Sequence, residues 1–126
     1  MTDRVLVTGA SGFIAKHVLA RLLADGFQVR GTVRSLKRRP EIEAAIARAG
    51  SGGTGAGLEL VEADLTRDEG WREAAEGCRY VLHMASPFPP AEPRDPETLI
   101  RPAREGTRRV LQAAAAGGVE RVVVTS

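Results

Sequence analysis

The chain has 126 residues, a formal net charge of +2, and 43% hydrophobic but only 4% aromatic residues. This is length for one domain with its own core and too little for two ordinary ones. So little net charge and so few aromatics exclude a basic, base-stacking nucleic-acid surface, and no apolar run approaches the ~18 residues of a membrane span. The start Met1-Thr2-Asp3-Arg4 leads straight into an apolar run, with no signal peptide. The single Cys78 has no internal partner for a disulfide and reads as a small buried hydrophobe. Both features point to a cytoplasmic, reducing compartment.

Val5-Leu6-Val7 predicts a short strand, and Gly9-x-x-Gly12-x-x-Ala15 a tight turn into a helix. Gly9 permits the turn, Gly12 removes the Cβ that would hold a pyrophosphate off the backbone, and Ala15 lets helix and strand pack closely. The first N–H groups of such a helix are unpaired and suit a phosphate. Ile14, Val18 and Leu22 with Ala15, Leu19 and Leu23 form an apolar stripe for one sheet face, and Gly26 ends the helix. A second strand follows over Phe27 to Val33, with Val29, Gly31 and Val33 inward and Gln28, Arg30 and Thr32 on a less buried face. Strand, helix and strand in this order make a parallel, right-handed unit.

Arg34, just past that strand, stands where an acid would bond a ribose 2′-hydroxyl in a dinucleotide site. A guanidinium there suits a 2′-phosphate, which favours NADP over NAD. Lys37, Arg38 and Arg39 read as a solvated basic loop. A short helix is expected over Glu41 to Ala49 behind Pro40, then a glycine-rich link from Gly50 to Gly57 and a third strand over Leu58 to Val61. Asp64 lies beyond that strand, either facing an adenine amino group or capping the next helix, with Thr66 as the rival cap.

Glu69 to Glu76 predicts a helix with Trp71, Ala74 and Ala75 inward, and Tyr80 to Met84 a central strand ending in Ala85-Ser86-Pro87, small enough for a cofactor to pass. His83 reads as a satisfied core histidine rather than a base. The proline-rich Pro87 to Pro96 suits the lining of a substrate pocket. A long helix then starts at Asp95-Pro96, with Pro102 kinking it or delaying its regular part, and Val119 to Thr125 forms a fifth strand with Val122-Val123-Val124 fully buried. The sum is an α/β fold: a Rossmann-type doubly wound parallel sheet of order 3-2-1-4-5.

Val7-Thr-Gly-Ala-Ser-Gly-Phe-Ile14, Gly31-Thr-Val-Arg34, Ala63-Asp-Leu65, Gly77-Cys78, His83-Met-Ala-Ser-Pro-Phe88, Pro102-Ala, Glu105-Gly-Thr107 and Arg121-Val-Val-Val-Thr-Ser126 occur in this order across nearly the whole chain. With these residues the chain resembles the extended short-chain dehydrogenase/reductase family of the NAD-dependent epimerase/dehydratase superfamily. Within it, the chain resembles the NADP-dependent dihydroflavonol reductase, cinnamoyl-CoA reductase and aldehyde reductase group. The resemblance implies that Ser11, Gly12, Phe13 and Ile14 hold the pyrophosphate with Gly9 at the turn, Arg34 the 2′-phosphate, and Asp64 and Leu65 the adenine. Ala85 and Ser86 would flank the nicotinamide, with Thr125 and Ser126 beneath its ribose.

It further implies an oxidoreductase that reduces a small aldehyde or ketone with hydride from NADPH. No metal, membrane or nucleic acid is called for. The family's chemistry uses a serine, a proton-donating tyrosine and a lysine four residues after it. Tyr80 is the only tyrosine and Met84 stands four residues on, so no catalytic residue is assigned within the chain. The expected serine, tyrosine and lysine fall beyond Ser126, and residues 1–126 read as a single NAD(P)-binding Rossmann domain lacking its sixth strand and substrate domain. A sugar-nucleotide epimerase or dehydratase is the enzymatic alternative, and a catalytically silent NADP-binding module the non-enzymatic one.

Overall fold

The structure, a computed structural model, describes residues 3–49, 57–85 and 97–125. The glycine-rich link at 50–56, the proline-rich loop with the Asp95-Pro96 helix start, Ser86 and Ser126 lie outside the described residues. The elements run β1 (Arg4–Thr8), α1 (Phe13–Ala24), β2 (Gln28–Val33), one short 3-10 turn (Leu36–Arg38), α2 (Arg39–Arg48), β3 (Leu58–Glu62), α3 (Trp71–Ala75), β4 (Tyr80–His83), α4 (Glu97–Ala116) and β5 (Arg121–Val124). All neighbouring strands are parallel, in the order β3-β2-β1-β4-β5. The chain reverses its direction of growth between β1 and β4, and in open α/β sheets ligands bind at the strand C-termini beside such a point.

Alternation along the strands sends side chains into two cores. Val5, Val7, Val29 and Val33 face α1 and α2, meeting Ala15, Leu19, Ile42 and Ile46. Leu6 and Val81 face α3 and α4, meeting Trp71, Ala74, Val110 and Ala114. A sheet covered on both faces needs apolar residues in both registers, which is why β1 is continuously apolar.

Helix ends follow backbone chemistry. After α1, the Gly26 N–H reaches the Leu23 carbonyl at 3.1 Å and the Phe27 N–H the Leu22 carbonyl at 3.0 Å, with Gly26 at φ 91°. After α4, the Gly118 and Val119 N–H groups make the same pair of bonds to Ala115 and Ala114, with Gly118 at φ 71°. Both are Schellman closures, which a left-handed glycine makes without steric cost.

Several expectations are corrected. The second face of β2 is buried, with Thr32 2% and Arg30 8% exposed, because α3 packs over it. Arg30 Nη1 donates to the carbonyls of Ala74 at 2.8 Å and Glu76 at 2.6 Å, and its Nε to the Glu59 carboxylate at 3.0 Å. Its charge thereby closes the C-terminal end of α3, where carbonyls lack helical donors. Ile14, in the first turn of α1, is 65% exposed, so the buried stripe of the helix begins at Ala15. Among the described residues β5 is an edge strand paired with β4 alone, and Val123 and Val124 are each 48% exposed rather than buried.

Boundaries also shift. α3 spans only Trp71–Ala75, because left-handed Gly70 at φ 89° precedes it. α2 begins at Arg39 behind the 3-10 turn, which Ser35 caps by accepting the Lys37 N–H. α4 runs through Pro102 without a break.

Candidate functional site

A cleft of about 560 Å³ opens at the C-terminal edge of the sheet, over the ends of β1, β2, β3 and β4. Its floor is the glycine turn. Gly9 takes φ 70°, and a Cβ there would sit 2.9 Å from the Ala85 Cα; one on Gly31 would sit 2.8 Å from the Ala10 Cβ. The turn lies so close to both neighbouring strands that only glycine fits.

Two threonines fasten this floor. The Gly9 N–H donates to Thr32 Oγ1 at 3.0 Å and the Ala10 N–H to the Thr32 carbonyl at 2.8 Å. Across β4, Thr8 Oγ1 accepts the N–H groups of Met84 and Ala85, both at 2.9 Å. With both lone pairs engaged, the Thr8 hydroxyl gives its proton to His83 Nδ1, 2.8 Å away. The proton of His83 therefore sits on Nε2, which donates to Thr107 Oγ1 at 3.2 Å. Burial also pushes the imidazole pKa down, so His83 is a neutral, fully partnered core residue as the sequence suggested.

Above the floor, α1 starts at Phe13 with Gly12 as its N-cap and no side-chain cap. The first regular helical bond runs from the Lys16 N–H to the Gly12 carbonyl at 3.0 Å, leaving the N–H groups of Phe13, Ile14 and Ala15 without helical acceptors. Gly9, Ser11 and Gly12 line the cleft beside them. Uncapped N–H groups at the positive end of a helix favour an anion. The Phe13 side chain is 80% exposed and, like Ile14, turns to solvent, so these two residues offer the cleft backbone rather than side chain.

The two side walls differ in chemistry. On one, Arg34, Ser35 and Arg38 line the cleft. The Arg34 guanidinium makes no hydrogen bond or ion pair among the described residues, whereas Arg38 pairs with Glu41. Arg39 pairs with Glu43 on the surface. Arg38 lines the cleft while its side chain stays 51% exposed, so it is both a solvated surface residue and part of the cleft wall.

On the other wall, Asp64 and Leu65 stand with Thr66 and Trp71. Asp64 Oδ1 accepts both the Thr66 N–H at 2.9 Å and the Thr66 hydroxyl at 2.8 Å. These bonds, with the charges of Arg34 and Arg67 beyond them, hold the carboxyl below its ordinary range against partial burial. Asp64 therefore braces its own loop as an Asx turn, with the second oxygen left over. The Trp71 indole N–H donates to the carbonyls of Asp64 and Arg67, both at 3.0 Å. α4 supports this wall from behind: a Cβ on Gly106 would lie 2.9 Å from the Leu65 Cβ, and Arg109 donates to the Leu65 carbonyl at 2.6 Å and to Asp68 at 2.7 Å.

Of the residues singled out in the sequence, the fold brings Gly9, Ser11, Gly12, Arg34, Asp64, Leu65 and Ala85 to one cleft. Thr125 stands apart from its lining, donating its N–H at 3.1 Å and its hydroxyl at 3.3 Å to the His83 carbonyl. Thr8, Thr32, Arg38 and Trp71 escaped notice as site residues. The threonines carried no signal, since a strand threonine alone is unremarkable; the basic run did flag Arg38 but not its direction.

The chain belongs to the NAD dependent epimerase/dehydratase family, whose sequence profile matches residues 5–126. It is 42% identical to cinnamoyl-CoA reductase 1 of Petunia hybrida, over 97% of this chain and 34% of that protein. It is 38% identical to dihydroflavonol 4-reductase of Hordeum vulgare, over 97% of this chain and 34% of that one. Among solved structures it superposes on yeast methylglyoxal/isovaleraldehyde reductase complexed with NADPH with a TM-score of 0.79 and 30% identity, over 98% of this chain and 36% of that one. The chain thus spans about a third of the length of these relatives. Among the described residues no helix is long and apolar enough to cross a membrane.

Proposed function

We propose that residues 1–126 are the NADP-binding Rossmann portion of an oxidoreductase that reduces a small aldehyde or ketone by hydride transfer from NADPH. The observation that carries this reading is Arg34: a guanidinium at the end of β2, on the cleft wall, without a hydrogen bond or ion pair among the described residues. An unpaired cation beside a glycine cradle suits a dinucleotide with one phosphate more than NAD. The relatives support it, since the yeast reductase was crystallised with NADPH.

The residues present fit such a cofactor. The cradle of Gly9 and Gly12 is kept open by contacts that a Cβ on Gly9 would break, and the free N–H groups at the start of α1 would hold the pyrophosphate. Arg34, with Ser35 and Arg38 beside it, would hold the 2′-phosphate. Asp64 would accept the adenine amino group through the oxygen that Thr66 leaves unused, with Leu65 against the ring. Ala85 would leave the nicotinamide end a wall without bulk; Ser86, assigned beside it from the sequence, lies outside the described residues. The bound dinucleotide supplies the hydride. The serine, tyrosine and lysine that polarise and protonate the carbonyl in this family would come from polypeptide outside these residues, because Tyr80 stands in the sheet paired with Val5 and Arg121.

The test is a titration of NADPH and NADH followed by the fluorescence of Trp71, the only tryptophan and part of the cleft wall. NADPH is expected to bind more tightly, and Arg34→Ala to lower its affinity by about ten- to a hundredfold while sparing NADH. Equal affinities for the two, or an unchanged preference in Arg34→Ala, would remove the 2′-phosphate assignment.

A further inference from the structure

The basic run after β2 does not meet the cleft as a uniform positive wall. Arg38 points its Nε and Nη2 at the Glu41 carboxylate, 2.7 and 3.1 Å away. Glu41 also accepts from Lys16 Nζ, so one carboxylate ties the first turns of α1 to the start of α2, next to the cleft-lining Arg38. The Nε–Nη2 edge is one of those with which a guanidinium grips an oxyanion in two parallel bonds. A phosphate that reaches Arg38 must use another edge or displace Glu41, and in either case it meets a second anion nearby.

We propose that Glu41 sets cofactor specificity: competing with a 2′-phosphate for Arg38, it limits the advantage that the 2′-phosphorylated dinucleotide holds over the unphosphorylated one. This rests on the reading of Arg34 and its cleft given above. The alternative role for Glu41, a brace that presents Arg38 to the ligand, is weaker on physical grounds. The Arg38 and Glu41 side chains are 51% and 41% exposed, and a pair so exposed adds little stability of its own, so steadying Arg38 is a small gain against a fixed negative charge beside the ligand. The carboxylate charge, in contrast, persists whether or not the pair is formed. Arg38 first, and Lys16 after it, hold the Glu41 carboxyl down to about 2, so it is ionised at any working pH.

Glu41→Gln keeps the shape of the side chain and a carbonyl acceptor for Arg38 while removing the charge. Calorimetric titration of the wild-type protein and this variant at low ionic strength, with adenosine 2′,5′-bisphosphate and adenosine 5′-monophosphate as probes, isolates the 2′-phosphate. The variant is expected to bind the bisphosphate about three- to tenfold more tightly and the monophosphate with unchanged affinity. Unchanged or weaker binding of the bisphosphate, or an equal gain for both probes, overturns the role of Glu41 and leaves the cofactor assignment standing. A wild-type protein that does not distinguish the probes overturns the cofactor assignment itself, and the role of Glu41 with it.

Discussion

At the scale of single residues, the chain of Thr8, His83 and Thr107 shows how hydrogen-bond accounting fixes a protonation state. Two backbone donors leave the Thr8 hydroxyl nothing to do but donate, so Nδ1 of His83 must be bare. A second ring proton would face the Thr8 proton inside the core. The consequence is a pH dependence whose sign follows from linkage. Burial lowers the folded-state pKa of His83 below its unfolded value, so the unfolded chain takes up the proton first. Stability is fully present above the unfolded pKa of about 6.5 and falls as pH drops from there through the folded pKa. Urea unfolding at pH 8 and at pH 5.5 should show this loss in the wild type. A His83→Gln variant, less stable at pH 8, should lack the part of the decline due to the imidazole; an identical decline in both would place the titrating group elsewhere.

At the scale of elements, α3 is the shortest helix and leans on a side chain from the sheet. Trp71–Ala75 is too short to stand on its own hydrogen bonds, and its end carbonyls lie under the second face of β2. Arg30 reaches up from that face, with Nη1 on the Ala74 and Glu76 carbonyls and Nε on Glu59. Its burial among polar partners explains how a charged residue occupies a covered strand. Arg30→Leu should cost about 2–3 kcal/mol of unfolding free energy, since buried carbonyls lose their donor. Arg30→Lys should recover part of it, because an ammonium can bond carbonyls but lacks the planar fork. Because α3 carries Trp71, denaturant curves read by fluorescence measure the effect directly, and Arg30→Leu with wild-type stability would show the cap to be dispensable.

At the scale of the whole molecule, helices cover both faces of the sheet, while β5 is an outer strand with no second partner among the described residues. Among the described residues β5 pairs with β4 alone, and it carries Val123 and Val124, each 48% exposed. An open edge with apolar side chains is a template for another strand. Produced as this 126-residue polypeptide, the molecule is expected to associate as concentration rises, and Val123→Lys to shift it toward monomer in sedimentation velocity. Concentration-independent monomer in the wild type would show that the edge is protected.

The sequence alone determined the order of strands and helices, the parallel sheet with its 3-2-1-4-5 order, the glycine turn and the position of Arg34. All of these follow from local signals: apolar period, turn residues and the place of a residue relative to a strand end. Only the tertiary structure decided what depends on a neighbour from elsewhere in the chain. The alternation of β2 was legible, but whether its polar face met water depended on α3, which brought Arg30 and Thr32 inside. The apolar run of β5 was legible, but not that Val123 and Val124 stand half-exposed on the outermost strand of the described sheet. The basic run was legible as charge, while only the structure showed that Arg38 lines the cleft with its guanidinium paired to Glu41. Likewise Thr8, Thr32 and His83 are ordinary strand residues until β1, β2 and β4 lie side by side. Their hydrogen bonds join residues far apart in sequence, and no local pattern records such pairs.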